Sequence, residues 1–205
     1  MNPSQLIDAG SAVVAKQLTW GTSGNISARV DQHRFVISAS GARLGDLTLE
    51  GIASCAIEQD HWDGSRRPSV ETGMHRAVYA CRPDVGAVLH CSPFFTTLVA
   101  SSAIPVDPYA TTDSVYYVGE VGRVGFELPG TPELADAVAA AIPPVDVLLL
   151  EHHGCVCVAA TLDEVVNRAE AFEVLCRMLV AEAQGFPLQR LAPGDVARLR
   201  GQGYG

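Results

Sequence analysis

Two short apolar runs in the sequence each lead into histidine. Residues 85–89 precede His90, and residues 145–150 precede Glu151-His152-His153-Gly154. Apolar runs of this length are typical of buried strands, and the carboxyl ends of strands in an open α/β sheet form its ligand-binding edge. Because imidazole groups bind metal ions and transfer protons, the two strand ends predict a metal site or an acid–base site at that edge.

A carboxylate lies one helix before the first of these strands. Ser69 is a suitable N-cap, and the sequence predicts a helix over residues 70–81 that ends before Pro83. Glu71 would lie in its first turn, where the helix dipole favours a carboxylate anion. His75 lies one turn later and is expected to support Glu71 rather than to bind a metal ion. The alternative is that Glu71 only complements the dipole and that the strand-end histidines are hydrogen-bonded core residues.

Two segments rich in glycine and small polar residues are candidates for anion binding. Residues 20–29 read Trp-Gly-Thr-Ser-Gly-Asn-Ile-Ser-Ala-Arg, and residues 39–41 read Ala-Ser-Gly after a predicted strand at residues 34–38. Such segments turn sharply and present backbone N–H groups, hydroxyls and an amide. We predict that the two segments converge on one anion. The alternative for the first segment is a polar turn that leads into a strand.

The rest of the chain supplies the helices and strands that must position these groups. The predicted helices occupy residues 5–18, 94–101, 132–140 and 162–183, the last opened by a capping box at residues 161–164. Further strands are predicted at residues 47–57, 121–126 and 155–158. The tail from residue 185 onwards is predicted to be a loop with one short helical turn.

Composition indicates one cytoplasmic domain that binds neither nucleic acid nor a membrane. The 205 residues are 48% hydrophobic, enough for one domain (residues 1–205) with a substantial core. A net charge of −9 with only 14 Lys plus Arg argues against nucleic acid as a partner. No apolar run approaches the length of a membrane span, and the N-terminus lacks the basic and apolar regions of a signal peptide. The six cysteines contain no CxxC pair and are predicted to be core thiols of a reducing compartment.

Five motifs along residues 6–183 occur in the order of a known family. They are Gly-Thr-Ser-Gly-Asn-Ile-Ser, Ser-Ala-Ser-Gly, Pro-Ser-x-Glu-x-x-x-His, Val-Leu-His and Leu-Leu-x-His-His-Gly. Each motif alone is weak, whereas the ordered set resembles the class II aldolase/adducin family and, within it, the fuculose-phosphate aldolases. The resemblance implies a three-layer α/β/α domain with a central mixed or antiparallel sheet. It also implies a homotetramer with active sites between subunits.

The resemblance implies roles for individual residues. Glu71 matches the general acid/base, and His90 and His153 match two of three ligands of a Zn²⁺ ion or another divalent metal. Tyr109 matches a tyrosine that reaches the site of the neighbouring subunit. The positions that match the substrate-phosphate site are Gly24, Asn25, Ser40, Gly41 and Ser69.

Two positions depart from the family pattern. Val70 replaces a small hydroxyl residue, so one phosphate donor is missing, and Ser92 replaces the second imidazole ligand. Strand alternation points Ser92 to the same side as His90, but a serine hydroxyl is a poor zinc ligand. Loss of the metal is one outcome, and the candidates for the third ligand are Glu71, Cys91, His152 or an extra water.

Three functions follow from this pattern. The first is a metal-dependent aldolase that acts on a ketose phosphate through a metal-stabilised enediolate, with Glu71 as general acid/base. The second is the same scaffold with altered chemistry, as an epimerase, dehydratase or decarboxylase, because of Ser92. The third is a non-catalytic, adducin-like interaction module without metal. The metal content of the purified protein separates the third function from the other two.

Overall fold

A mixed sheet of eight strands forms the middle layer of the structure, a computed structural model that describes residues 3–201. In chain order the strands are β1 (Asn25–Arg29), β2 (Arg34–Ser38), β3 (Ile52–Ala56), β4 (Trp62–Asp63), β5 (Ala87–Cys91), β6 (Val121–Val124), β7 (Val147–Leu150) and β8 (Gly154–Ala159). Across the sheet they follow the order β4-β3-β2-β1-β5-β8-β7-β6. Every neighbouring pair is antiparallel except β6 and β7.

Helices cover both faces of this sheet. They are α1 (Pro3–Ala15), α2 (Thr72–Cys81), α3 (Phe94–Ala100), α4 (Pro132–Ala141), α5 (Leu162–Ala183) and α6 (Pro193–Gly201). The parallel pair β6 and β7 needs a crossover connection, and α4 supplies it. None of the helices within residues 3–201 is both long and apolar enough to cross a membrane.

Two hydrophobic cores lie on opposite faces of the sheet. Apolar residues of α1, α3 and α5 pack on one face, and those of α2 and α4 pack on the other. Strand alternation divides the side chains between the two cores: Leu89 and Cys91 of β5 belong to the α5 face, and Val88 belongs to the α2 face. The predicted three-layer α/β/α fold with a mixed, mainly antiparallel sheet is therefore confirmed.

Several predicted element bounds differ from the structure. The strand predicted to begin at residue 85 and to end in His90 is Ala87–Cys91, so it begins two residues later and continues one residue past His90. The helix predicted from residue 70 begins at Thr72, and Glu71 takes the N-cap position with φ −93° and ψ 14°. Ser69 causes this difference, because its hydroxyl accepts a hydrogen bond from the backbone N–H of Glu71 at 3.2 Å and holds a turn ahead of the helix. The tail also contains a nine-residue helix, α6, rather than one turn.

The cysteines lie mainly in the core, as predicted. Cys55, Cys91, Cys155, Cys157 and Cys176 are buried and free, whereas Cys81 is free and exposed. Cys155 and Cys157 alternate with valines along β8 and face the α5 core. The CxC segment is therefore ordinary packing of two thiols on one face of a strand.

Candidate active site

Two parallel-running strands bring the histidines to one edge of the sheet. His90 is the fourth residue of β5, and His153 lies in the turn between β7 and β8. Strands β5 and β7 are both antiparallel to β8, which lies between them, so their carboxyl ends point the same way. The two imidazole rings lie 4.6 Å apart between centroids. Alternation along β5 places His90 on the face of α2, where Glu71 is found.

Glu71 lies between the two imidazoles. Its Oε2 atom is 3.4 Å from Nε2 of His90, and its Oε1 atom is 3.4 Å from Nε2 of His153. The Glu71 residue is only 6% exposed, because the turn before α2 folds its side chain into the molecule. One donor atom from each of the three residues falls within 4.8 Å of the others. The three residues form one compact cluster, in which Glu71 and His90 are buried and His153 is partly exposed.

The Nε2 atoms of both histidines face the Glu71 carboxylate. Nδ1 of His90 lies 3.0 Å from the carbonyl oxygen of Cys155, to which it donates, so Nε2 is the ring nitrogen that faces the cluster. Burial, together with the neighbouring His90, lowers the pKa of His153 below its usual value, while Glu71 opposes this shift. A neutral imidazole is the form that binds a metal ion.

The geometry fits a divalent metal ion. Oε1 of Glu71 is buried and makes no hydrogen bond within the described part of the chain. A buried carboxylate oxygen without a partner is costly, and a cation beside it would remove that cost. Two imidazoles and a carboxylate are a known catalytic zinc set.

Both glycine-rich segments reach the cavity beside this cluster. The cavity has a volume of about 200 Å³, and Glu71, His90 and His153 line it. It is also lined by all five residues expected at a phosphate site, Gly24, Asn25, Ser40, Gly41 and Ser69. The two segments therefore meet at one cavity, as a shared anion site would require.

Glycine is required at one of these positions. Gly24 has φ +80°, and a Cβ atom there would lie 2.8 Å from the carbonyl oxygen of His90. A side chain at residue 24 would therefore push the first segment away from β5 and open the cavity. Val70 also lines the cavity, but its side chain offers no hydrogen-bond donor, and the residue is 56% exposed.

The side-chain amide of Asn25 links Glu71 to the buried residue His75. Nδ2 of Asn25 donates to Oε2 of Glu71 at 2.8 Å, and Oδ1 of Asn25 lies 2.5 Å from Nε2 of His75. His75 is fully buried, and this burial lowers its pKa to about 3. The side chain of Asn25 is thus engaged with Glu71 and His75, although it lines the anion cavity.

The alternative candidates for a third ligand lie apart from the cluster. Cys91 points into the α5 core, with its Sγ atom 3.6 Å from that of Cys155. His152 lines a different cavity of about 620 Å³. The Ser92 hydroxyl lies 3.3 Å from that of Ser23. Glu71 is the candidate that the fold brings to His90 and His153.

Tyr109 is not part of this cavity within one chain. Its hydroxyl donates to Oε1 of Glu120 at 2.5 Å, and the guanidinium of Arg200 lies 5.7 Å from the centre of its ring. Arg200 also donates to Glu120 at 2.9 Å. Tyr109 is therefore tied to the C-terminal helix α6 rather than to Glu71.

Sequence reasoning missed two residues behind the cluster, Ser27 and Tyr79. Ser27 lies within hydrogen-bond distance of both His75 and Tyr79. Two signals could have found them. Residues 71, 75 and 79 recur at helical spacing and share one face of α2, and Ser27 is two residues after Asn25 on the same face of β1.

Comparison with known proteins finds a family that covers most of the chain. A family model described as "Class II Aldolase and Adducin N-terminal domain" matches residues 4–180. The 5-methylthioribulose-1-phosphate/5-deoxyribulose-1-phosphate aldolase of Rhodospirillum rubrum is 32% identical over 91% of this chain and 86% of its own length. The 3-oxo-tetronate 4-phosphate decarboxylase of Haemophilus influenzae is 25% identical over 97% of this chain and 95% of its own.

One further relative is named for a different reaction, and a solved structure has a similar fold. A methylthioribulose-1-phosphate dehydratase of Pseudomonas aeruginosa is 28% identical over 83% of this chain and 89% of its own. The solved structure of an L-fuculose 1-phosphate aldolase superposes with a TM-score of 0.87 at 26% identity, covering 97% of this chain and 94% of that one. Aldolases, a dehydratase and a decarboxylase are thus all similar in sequence to this chain.

Proposed function

The chain belongs to the class II aldolase and adducin N-terminal domain family, and from that premise we propose that it is a metal-dependent aldolase that cleaves a ketose phosphate. One observation carries the proposal: Glu71 lies between His90 and His153 in the cavity that both glycine-rich segments reach, and its Oε1 atom makes no hydrogen bond to the residues that the structure describes. Relatives named for aldol cleavage of phosphorylated sugars support this choice of substrate class.

His90 and His153 would hold the metal ion, with Oε1 of Glu71 as the third ligand before substrate enters. When bound, a divalent ion such as Zn²⁺ supplies Lewis-acid stabilisation of negative charge on the substrate's carbonyl oxygen. The sequence departure at Ser92 is compensated in this proposal, because the carboxylate takes the place of the missing imidazole.

Glu71 is the proposed carrier of the proton. In the direction of synthesis it takes a proton from the carbon next to the carbonyl of a ketone phosphate, and the electron pair of that C–H bond forms an enediolate. The enediolate carbon then forms a bond with the aldehyde carbon, and the aldehyde oxygen takes up a proton. Cleavage follows the same steps in reverse, so that Glu71 returns the proton to carbon.

Phosphate binding is assigned to the two glycine-rich segments. Gly24, Asn25, Ser40, Gly41 and Ser69 line the cavity and supply backbone N–H groups and hydroxyls, while the side-chain amide of Asn25 is engaged with Glu71 and His75. Binding energy from a phosphate that does not react fixes the position of the reacting carbons. Val70 supplies no donor, so we expect this site to hold phosphate with one hydrogen bond fewer than a serine would allow.

Tyr109 is proposed to donate the proton to the aldehyde oxygen in a neighbouring subunit of a homotetramer. Its absence from the cavity of its own chain and its place in an irregular surface segment support this role. We also propose a cytoplasmic location, which the free thiols support.

The test combines metal content with cleavage of ketose 1-phosphates. We expect about one divalent ion per chain, most of which is lost in His90→Ala and in His153→Ala, because each removes one of three ligands. The metal-loaded protein should release a ketone phosphate and an aldehyde from a short panel of ketose 1-phosphates. Full metal occupancy in the variant that combines His90→Ala and His153→Ala would refute the metal assignment. The absence of cleavage of every ketose 1-phosphate in the panel would refute the proposed aldolase activity.

Decarboxylation is the second candidate. The decarboxylase relative aligns with 97% of this chain, and Ser92 departs from the ligand pattern of the aldolases. Loss of carbon dioxide from a 3-oxo acid phosphate also leaves negative charge on an enolate, which the same cluster could stabilise. Release of carbon dioxide from a 3-oxo-tetronate 4-phosphate, without ketose cleavage, would select this candidate.

A further inference from the structure

A chain of hydrogen bonds runs through the interior from Tyr79 to Glu71. The Tyr79 hydroxyl lies 2.9 Å from that of Ser27, which lies 2.6 Å from Nδ1 of His75. Nε2 of His75 lies 2.5 Å from Oδ1 of Asn25, and Nδ2 of Asn25 lies 2.8 Å from Oε2 of Glu71. All five residues are buried, with exposures of 6% or less.

The carboxylate of Glu71 determines which group donates in each of these hydrogen bonds. An ionised carboxylate only accepts, so Asn25 must turn its N–H group to Glu71 and its carbonyl to His75. Nε2 of His75 must then carry the hydrogen, and its Nδ1 must accept from the Ser27 hydroxyl. The Ser27 oxygen is left to accept from the hydroxyl of Tyr79.

Burial keeps His75 in the neutral form that these hydrogen bonds require. Desolvation lowers its pKa to about 3, with a smaller contribution from His90. Near neutral pH the ring therefore has one donor and one acceptor nitrogen. Each ring nitrogen of His75 has one hydrogen-bond partner, so these hydrogen bonds determine which nitrogen carries the hydrogen.

The far end of the chain is anchored to the backbone. Arg29 lies over the Tyr79 ring at 4.8 Å and donates to the carbonyl oxygens of Tyr79, Arg82 and Val85. Phe35 packs against the same ring at 5.0 Å between centroids. The C-terminal end of α2 thus holds Tyr79 still, and the hydrogen bonds transmit that position to Asn25.

We propose that Asn25, His75, Ser27 and Tyr79 form a positioning chain that fixes Oε2 of Glu71 and leaves Oε1 directed at His153 and the cavity. The two carboxylate oxygens then have separate tasks: one is held by the protein, and the other is available to a metal ion or a proton. This inference rests on the proposed function for its effect on catalysis, whereas the placement of Glu71 can be measured without it.

Two substitutions of His75 separate positioning from packing. His75→Gln keeps an N–H group where Nε2 lies, whereas His75→Asn keeps a polar group near Nδ1 and withdraws the donor from Asn25. We expect kcat to fall about 100-fold in His75→Asn, since a small misplacement of a reacting group has effects of this size. His75→Gln should stay within about tenfold of the wild type, as for other residues that act through a neighbour.

The remaining members should show an effect that fades with distance from Glu71. Ser27→Ala should lower kcat about tenfold and Tyr79→Phe by less, because each is one hydrogen bond further away. KM should change little in all of them, because no member of this series binds substrate.

Met74→Ala is the matched control for destabilisation. Met74 lies beside His75 on α2, is 2% exposed and packs in the α2–α4 core without joining the chain. It should lower the melting temperature and leave kcat unchanged. Equal kcat values in His75→Asn and the wild type, or a loss of kcat that follows melting temperature through Met74→Ala as well, would overturn the proposal.

Placement of Glu71 is tested without any enzyme assay. Crystal structures of the wild type and His75→Asn should show the Glu71 carboxylate displaced in the variant, and a competing chelator should measure zinc affinity about tenfold weaker. If the wild type cleaves no ketose phosphate, the proposed function fails while these measurements still decide the placement. An unmoved Glu71 with unchanged zinc affinity would overturn the positioning chain itself.

Discussion

Glu71 lies 6% exposed between two histidines and is backed by a continuous set of buried hydrogen bonds. Tyr109 lies half-buried on a segment without α-helix or strand, where its partners are Glu120 and Arg200. The Glu71 cluster is fixed by elements from three parts of one chain. The Tyr109 region is held by charged groups that water and salt screen.

The Glu71 cluster is complete within one chain, whereas the contacts of the Tyr109 region can change. The Glu71 cluster cannot shift without disturbing the packing of α2 on the sheet, so its geometry is ready before a ligand arrives. The partners of Tyr109 are exposed side chains. Replacing its interactions with them by contacts to another subunit would therefore cost little free energy. A tyrosine proposed to act in a neighbouring subunit belongs in the second kind of region.

Replacement of the Glu71 carboxylate should give the largest effect. Glu71→Gln keeps the shape and the hydrogen bond to Asn25 but cannot carry a proton, so kcat should fall about 10²- to 10⁴-fold. The matched control is Glu170→Gln, which removes an exposed carboxylate paired with Lys16 on the opposite face. Steady-state cleavage rates of the two variants provide the comparison. Retention of most of the activity in Glu71→Gln would remove Glu71 from the mechanism.

Acid should destabilise the Glu71 region through His75. The pKa of His75 is about 3 in the folded protein, against about 6.5 when unfolded. Because the unfolded state binds the extra proton, this contribution to stability is complete above the unfolded pKa and is lost as pH falls towards the folded one. The free energy of unfolding should therefore fall by about 1.4 kcal/mol per pH unit across that window.

Urea denaturation at several pH values measures this slope. His75→Gln has no titrating group, so it should show a slope smaller by that amount, whereas His33→Gln, at an exposed position, should keep the wild-type slope. Identical slopes in all three proteins would show that His75 is not buried in the neutral state.

An added imidazole should tighten the metal site. Ser92→His places a ligand where the family pattern has one, and zinc affinity should rise by about tenfold, equivalent to about 1.4 kcal/mol. Ser92→Ala, which adds no ligand, should leave affinity unchanged. Titration against a competing chelator measures both. If Ser92→His gains nothing, an imidazole at residue 92 does not reach the ion as a fourth ligand beside Glu71. A fall in kcat alongside a gain in affinity would favour altered chemistry.

The smallest effect is expected in the Tyr109 region. Arg200→Ala removes the charge pair with Glu120 and the contact with the Tyr109 ring, yet it should cost less than about 1 kcal/mol of unfolding free energy. The cost should shrink further at high salt. Arg198→Ala, which breaks an exposed pair with Asp195 inside α6, is the control. A loss several times larger would mean that this region is as rigid as the Glu71 cluster.

Much of the fold could be predicted because local chemistry decides it. The strand at residues 34–38, the capping box of α5 and the Thr131–Pro132 start of α4 all depend on neighbours within a few residues, and each is seen as predicted. The order of the five motifs along the chain also indicated the family to which the chain belongs. The two apolar runs already placed His90 and His153 at one edge of the sheet.

The sequence by itself determined which groups this protein has for chemistry and on which elements they lie. Only the tertiary structure decided which of them meet: Glu71 rather than Cys91 or His152 joins the two histidines, and the side chain of Asn25 turns to Glu71. These choices depend on pairing between strands far apart in the chain, with β8 between β5 and β7. Since a side chain's direction at a strand end or turn follows from long-range packing, no local pattern could have specified it.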